Sequence, residues 1–257
     1  MTKILNTLHG CNAAIFNEVQ HAPLALFDLD HTLLDGDGDD LWCRFMIRQG
    51  MVDADVAVEN QKVCRDYREG RIGPEEFSSF YARLFAGQTQ AFLAPWQNRF
   101  LIEEIRPRLP PAAYQLVASH RAAGHTLVLT TASNRIIAER TAAELGFEHL
   151  LATELEQQDG RFTGRFIGVP NMCEGKLLRL RAWLAEREWP EALLRQAWFY
   201  SDSINDLPLL CAVGVSVVVN PDARLRAHAT AQGWPCFDTL PAQRTLWGEK
   251  QAFLSKL

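Results

Sequence analysis

The sequence predicts an α/β fold: a doubly wound parallel sheet with an all-helical insert placed early in the chain. Three observations carry this. A short apolar run, residues 24–27, reads as a strand buried on both faces, and it stops abruptly at Asp28 and Asp30. From about residue 36 to 107 the apolar spacing is helical, with no strand signal between. From residue 112 onward strand-like and helical stretches alternate, which implies parallel strands with crossover helices on both faces.

The elements follow in order. Residues 1–22 precede the first strand as an N-terminal extension, a short helix or a loosely held segment. Residues 23–35 and 108–257 make the Rossmann-like core, and 36–107 the insert. In the insert, Leu41, Trp42, Phe45 and Met46 give an amphipathic helix whose acidic first turn suits the helix dipole. A second helix spans 52–67. Pro74 opens a third, with Phe80, Leu84 and Phe85 on one face, and Trp96, Phe100, Leu101 and Ile105 continue the spacing. Leu109-Pro-Pro111 marks the return to the core. There, helix 112–123 ends at Gly124, strand 126–131 follows, and helix 134–145 ends at Gly146. A short strand at 149–153 precedes a hairpin over 155–167, signalled by Asp159-Gly160. Helix 174–188, strand 198–201, helix 204–211, strand 215–219, a helix starting at Pro221-Asp222 and a short strand at 234–237 complete the chain.

Composition excludes several function classes. The formal charge of −5, without a basic cluster interleaved with aromatics, leaves no electrostatic footprint for nucleic acid. A hydrophobic content of 47% and a charged content of 22% suit a soluble domain with a sizeable core, and no apolar run is long enough to cross a bilayer. The six cysteines are scattered without a CxxC pair, so neither a zinc site nor a disulfide framework is expected. Leu8-His-Gly-Cys11 is a poor lipoprotein box, so a cytoplasmic protein without a targeting segment is expected.

The chemistry concentrates at strand ends. In an extended strand Asp28 and Asp30 point the same way, and two such charges repel unless a cation lies between them or one holds a proton. That calls for a metal, an acid/base pair, or both. The acidic run 35–40 is no calcium loop: counted from Asp35, the glycine position holds Asp40 and the final glutamate position holds Met46. Asp28 and Asp30, Thr131, and Ser201 with Asp202 come from three strands. In such sheets ligands bind at the carboxyl ends, where strand order reverses.

Phe27-Asp-Leu-Asp-His-Thr32, Leu129-Thr-Thr-Ala-Ser133, Gly175-Lys176 and Tyr200-Ser-Asp-Ser-Ile-Asn-Asp206 resemble, in order, the four motifs of the haloacid-dehalogenase-like phosphatases. The insert after the first motif resembles the helical cap of their phosphoserine-phosphatase-like branch. The resemblance implies Asp28 as nucleophile and Asp30 as general acid/base, with Lys176 offsetting negative charge. It also implies Mg²⁺ held by Asp28, the main-chain carbonyl of Asp30, Asp202, and Asp206 directly or through water. Thr131 would donate to a phosphoryl oxygen, or else satisfy backbone groups at a strand end. Asn205 would line the phosphate site, and Thr32 would shape the turn.

Asp37 stands where that branch places a glutamate that holds the substrate amine; it is equally readable as an acidic helix start. Arg44, Arg48, Arg65, Arg68 and Arg71 are candidates for clamping a carboxylate. His31 and His125 read as packing or surface residues. The expectation is a Mg²⁺-dependent phosphomonoesterase with an aspartyl-phosphate intermediate, acting on a small polar ester such as phosphoserine or histidinol phosphate. Membrane and nucleic acid are not expected partners. Two alternatives stay open: a phosphotransferase or mutase using the same intermediate, and a non-catalytic phosphate-binding module.

Overall fold

The structure, a computed structural model, describes residues 21–240. The expected N-terminal extension falls outside them except for its last two positions, as do Leu8 to Cys11. Seven strands form one sheet in the order β4-β3-β2-β1-β5-β6-β7. They are β1 (Leu24–Phe27), β2 (Thr126–Asn134), β3 (His149–Gln158), β4 (Arg161–Ile167), β5 (Trp198–Ser201), β6 (Val215–Val219) and β7 (Cys236–Phe237). All pair in parallel except β4, which returns antiparallel to β3. The doubly wound α/β expectation therefore holds.

The centre of the sheet is β1, with Leu26 opposite Val128 of β2 on one side and Phe199 of β5 on the other. Its alternation splits the core in two. Leu24 and Leu26 join one apolar cluster, with Leu180 and Leu184 of α7 (Glu174–Glu186), Leu209 of α8 (Leu207–Ala212) and Leu225 of α9 (Ala223–Gln232). Ala25 and Phe27 join the other, with Leu116 of α5 (Pro111–Ala122) and Ile137 of α6 (Arg135–Leu145). Phe27 stacks on Tyr200 at 4.9 Å, so β1 and β5 are fixed side by side up to the residues where the acids begin.

Between β1 and β2 lie α1 (Gly38–Arg48), α2 (Val56–Arg68), α3 (Pro74–Arg83) and α4 (Gln90–Phe100), closed by a π-helical turn (Leu101–Ile105) and a 3₁₀ turn (Arg106–Arg108). The insert is joined to the core through a shared apolar cluster: Trp42, Phe45, Phe85 and Phe100 belong with Phe27 and Leu129. Gln97 donates to Ile136 O and to Glu139, 2.7 Å each, and Gly87 and Gln88 exchange backbone hydrogen bonds with Phe162 of the β3–β4 hairpin. By contrast α2 and α3 pack around a separate cluster of Cys43, Phe77, Phe80, Tyr81 and Met172.

Some boundaries differ from those read in the sequence. Strands β2 and β3 run on past 131 and 153, because β3 continues straight into the hairpin whose turn holds Asp159 and Gly160 at positive φ. The helix expected from 52 starts at Val56, after a turn at 53–55. The helix expected over 204–211 begins as a 3₁₀ turn (Ile204–Asp206), with Pro208 in the first turn of α8.

Phe85 is fully buried where insert and core meet, between Trp42 and Phe162. Phe85→Ala is expected to lower unfolding free energy by about 3–5 kcal/mol. Val58→Ala, at a position 71% exposed, should stay within about 0.5 kcal/mol. Urea unfolding of both variants measures the contrast.

Candidate active site

The chain crosses from β4 back past β1 to β5, so strand order reverses between β1 and β5. The acids sit at the carboxyl ends of that pair. Asp28 follows β1, its N–H donating to Tyr200 O at 2.9 Å. The turn after it folds back, with Thr32, Leu33 and Leu34 all donating to Leu29 O. This brings the Thr32 hydroxyl to 3.3 Å from both Asp28 Oδ2 and Asp202 Oδ1, linking the two strand ends. A hydroxyl has one proton, so it satisfies only one of these carboxylates at a time.

Lys176 Nζ lies buried between Asp28 Oδ1 and Asp206 Oδ2, 2.7 Å from each. Ser201 Oγ donates to the same Asp206 oxygen at 2.7 Å. Burial pulls the lysine pKa down, but the charges of Asp206 and Asp28 outweigh it and hold the ammonium protonated. Asp202 is pushed up to about 9 by burial and by Asp28 and Asp206, with Lys176 opposing. Burial also raises Asp206, against the pull of Lys176.

Lys176 is placed by the start of α7. The preceding residue, Gly175, packs so tightly that a Cβ would stand 2.0 Å from Pro170 O. Asn171, fully buried, donates to Thr130 Oγ1, Thr131 O and Leu151 O within 3.0 Å, tying this loop to β2 and β3.

Asp30 faces the other way. Its Oδ1 accepts from Gly38 N at 2.7 Å, and its Oδ2 accepts from Thr131 Oγ1 and Ser133 Oγ at 3.1 Å each. Those donors favour the ionised form, yet burial, with Asp37 and Asp28 nearby, raises its pKa to about 7. Thr131 is fully buried behind Asp30, and its hydroxyl is directed to that carboxylate, not into open space.

A cavity of about 790 Å³ opens over this floor. Of the residues singled out in the sequence, Asp28, Asp30, His31, Asp37, Lys176, Asp202, Asn205 and Asp206 line it; Thr131 does not. The insert supplies the opposite wall. Tyr67 of α2 accepts a hydrogen bond from Asn205 Nδ2 at 3.2 Å and lies 3.4 Å from Cys173 Sγ, so one hydroxyl links the insert to two core loops. Asp37 caps α1, its Oδ1 accepting from Asp40 N at 2.9 Å. Arg44, bound to Asp40 at 2.9 Å, lines the cavity with Arg65 and Arg68; Arg48 and Arg71 pair instead with Glu104 and Asp66. His125 contacts His120 at 2.7 Å, away from the cavity.

Sequence reasoning missed Ser133, Asn171 and Tyr67. Ser133 had a signal, since it shares the strand-end motif with Thr131; the other two had none.

Among the described residues no three His, Cys, Asp or Glu side chains converge into a metal cage. The paired carboxylates of Asp28 and Asp202, which share a single hydroxyl donor, are the hard oxygen donors that suit Mg²⁺ completed by waters and phosphate.

The family model for haloacid dehalogenase-like hydrolases matches residues 25–210. A histidinol-phosphatase of Neisseria meningitidis is 40% identical over 214 residues, 82% of this chain and 96% of that protein. Phosphoserine phosphatase SerB1 of Mycobacterium tuberculosis is 37% identical over 152 residues, 59% of this chain and 48% of that protein. A Bordetella pertussis protein described as of unknown function is 38% identical, with a TM-score of 0.80 over 85% of this chain and 99% of that one. A substrate-bound phosphoserine phosphatase shares the fold at 18% identity, TM-score 0.65, covering 88% of this chain and 98% of its own.

The chain belongs to the haloacid dehalogenase-like hydrolases. Within that family it is a phosphatase.

Gly175→Ala must displace either Pro170 or the first turn of α7. The expected result is a loss of about 1–3 kcal/mol in urea unfolding, with the contact between Lys176 and Asp28 lost in a crystal structure of the variant.

Proposed function

We propose that this protein hydrolyses a small, amine-bearing phosphomonoester with Mg²⁺ through a phosphorylated Asp28. One observation carries the reading: Lys176 bridges Asp28 and Asp206 while Thr32 joins Asp28 to Asp202, all on the floor of one cavity. Asp28, Asp202, the main-chain carbonyl of Asp30, and Asp206 directly or through water would hold the metal. Bound there, Mg²⁺ supplies Lewis acidity that neutralises phosphoryl charge.

In the first half-reaction an Asp28 carboxylate oxygen bonds to phosphorus as the ester P–O bond breaks, and Asp30 gives its proton to the departing alkoxide. In the second, water attacks the phosphorus of the acyl phosphate and its proton goes to Asp30. The bond to Asp28 breaks, inorganic phosphate leaves, and both carboxyls regain their starting states. Lys176 holds one Asp28 oxygen at 2.7 Å and so keeps the carboxylate oriented. Asp30 suits both proton transfers because its environment opposes itself, burial favouring the acid and its three donors the anion. Thr131 acts here by holding Asp30, and Asn205 by lining the phosphate site and engaging Tyr67.

The insert serves as the cap that excludes bulk water and selects the leaving group. The relatives named histidinol-phosphatase and phosphoserine phosphatase support an amino-alcohol phosphate as substrate. A cytoplasmic setting belongs to the same proposal, supported by free thiols at Cys43, Cys64, Cys173, Cys211 and Cys236. Among the described residues no helix is long and apolar enough to cross a membrane.

Purified protein with Mg²⁺ is expected to release phosphate from p-nitrophenyl phosphate and from amino-alcohol phosphates, and to stop when EDTA is added. Asp28→Asn should lower kcat by about a thousandfold or more, equivalent to about 4 kcal/mol of barrier. Activity that survives this substitution sinks the nucleophile assignment. Product moving to an added alcohol in place of free phosphate would make the enzyme a phosphotransferase.

A further inference from the structure

A second cleft, of about 480 Å³, lies between β3 and α7 and shares no lining residue with the catalytic cavity. Its volume suits a small metabolite. On its half-buried floor Glu154 accepts from Arg135 Nε and Nη2 within 3.0 Å. Arg179 Nη2 stands 3.5 Å from the same carboxylate, so two guanidinium charges face one negative charge. Arg179 is short of acceptors: its Nη1 donates to Val169 O at 3.2 Å, while its buried Nε has no partner. A buried donor left unpaired is costly, and a native structure that keeps one needs a reason. Burial first, and then Arg135, pull the Arg179 pKa down against Glu154 and Glu186. At the mouth Arg187 lies 4.3 Å over the Trp183 ring, and its guanidinium pairs with no carboxylate among the described residues. Glu148 and Glu186, both exposed, also line the cleft.

We propose that this cleft binds a small organic monocarboxylate through Arg179 and Arg187, and that the bound ligand acts on Lys176 through Arg179. The single excess positive charge on the floor matches one carboxylate, and the two exposed glutamates disfavour the second charge of a phosphate dianion. Forked guanidinium donors fit a carboxylate, and Trp183 with Leu150 gives the rest of the ligand a wall. Arg179 stands one helical turn after Lys176 on α7. The carbonyl it holds, Val169 O, belongs to the loop whose next residue, Pro170, packs against Gly175. A carboxylate on Arg179 competes with Val169 O for the guanidinium and so loosens the loop that sets Lys176. This link to Lys176 rests on the phosphatase reading above; the binding does not.

Calorimetry at constant ionic strength, with benzoate as the probe, tests the site. The parent protein should bind one benzoate, and Arg179→Gln and Arg187→Gln should each weaken it about tenfold. Arg65→Gln, in the catalytic cavity, should bind it as the parent does. Saturating benzoate should lower kcat for p-nitrophenyl phosphate about two- to tenfold, with KM unchanged. Because Arg187 is exposed, Arg187→Gln reads the site even where Arg179→Gln fails to fold. The proposal is overturned if the parent does not bind benzoate, if Arg187→Gln keeps the parent affinity, or if Arg65→Gln loses it. A rise in KM alone, which marks competition in the catalytic cavity, overturns it too, as does a kcat that saturating benzoate leaves unmoved. Inorganic phosphate that binds more tightly than benzoate, and loses that affinity in Arg187→Gln, overturns the choice of a carboxylate. All these outcomes leave the phosphatase reading standing. A parent that binds benzoate but is inactive on p-nitrophenyl phosphate overturns that reading and the link to Lys176, and upholds the binding site.

Discussion

Everything at the site depends on one buried ammonium held between two carboxylates. Lys176 is 2% exposed, far from the water that normally solvates its charge, and it remains protonated because Asp28, just after β1, and Asp206, in the 3₁₀ turn after β5, both face it. Such a cluster is weak evidence for stability, since desolvation consumes most of the Coulombic gain. Its value is positional. The lysine fixes one oxygen of Asp28, leaving the other beside Thr32 and Asp202. Under the proposed function, a carboxylate anchored by one oxygen, with only the long Thr32 contact at the other, would attack without first reorganising.

Holding that cluster requires the sheet topology. Because strand order reverses at β1 and β5, their carboxyl ends adjoin with no crossover above them, and Asp28 and Asp202 meet in the crevice. The third partner comes from a helix start, where precision needs a tight loop. The close approach of Gly175 to Pro170 and the three hydrogen bonds from Asn171 provide it. The insert then closes the remaining side with α1, whose Gly38 N–H holds Asp30. Asp28 and Asp30, to which the proposed mechanism gives the nucleophile and proton-carrier roles, are thus neighbours in sequence but are held by different parts of the fold.

Much of this was legible in the residues. Apolar strands ending in acid, a helical block between the first two strands and an Asp-Gly hairpin are local signals, and local signals survive folding. The acids and the lysine could be read because they recur in a fixed order along the chain. What stayed hidden depends on register and packing. Nothing near Asn171 announces that its amide will reach two strands, and Tyr67 reads as one more aromatic on a helix until α2 meets Asn205. Thr131 shows the limit most clearly. Its place at a strand end was evident, but whether its hydroxyl faces the cavity or Asp30 depends on a side-chain direction that sequence does not encode. Asp37 and Asp39 likewise look interchangeable in an acidic run; only the helix start separates the carboxylate that caps it from the one that does not.

The charge of the floor also constrains how a substrate arrives. Ionised together, Asp28, Asp202 and Asp206 set three negative charges against the single positive charge of Lys176, and burial leaves little water to screen the difference. Burial first, and then Asp28 and Asp206, push Asp202 upward against the pull of Lys176. The arginines do not correct it: Arg44 is bound to Asp40, Arg48 and Arg71 to acids away from the cavity, while Arg65 and Arg68 are exposed. A phosphate dianion approaching this floor alone meets net repulsion. Under the proposed function an accompanying cation would offset that repulsion, so that anion and cation binding would each raise the affinity for the other.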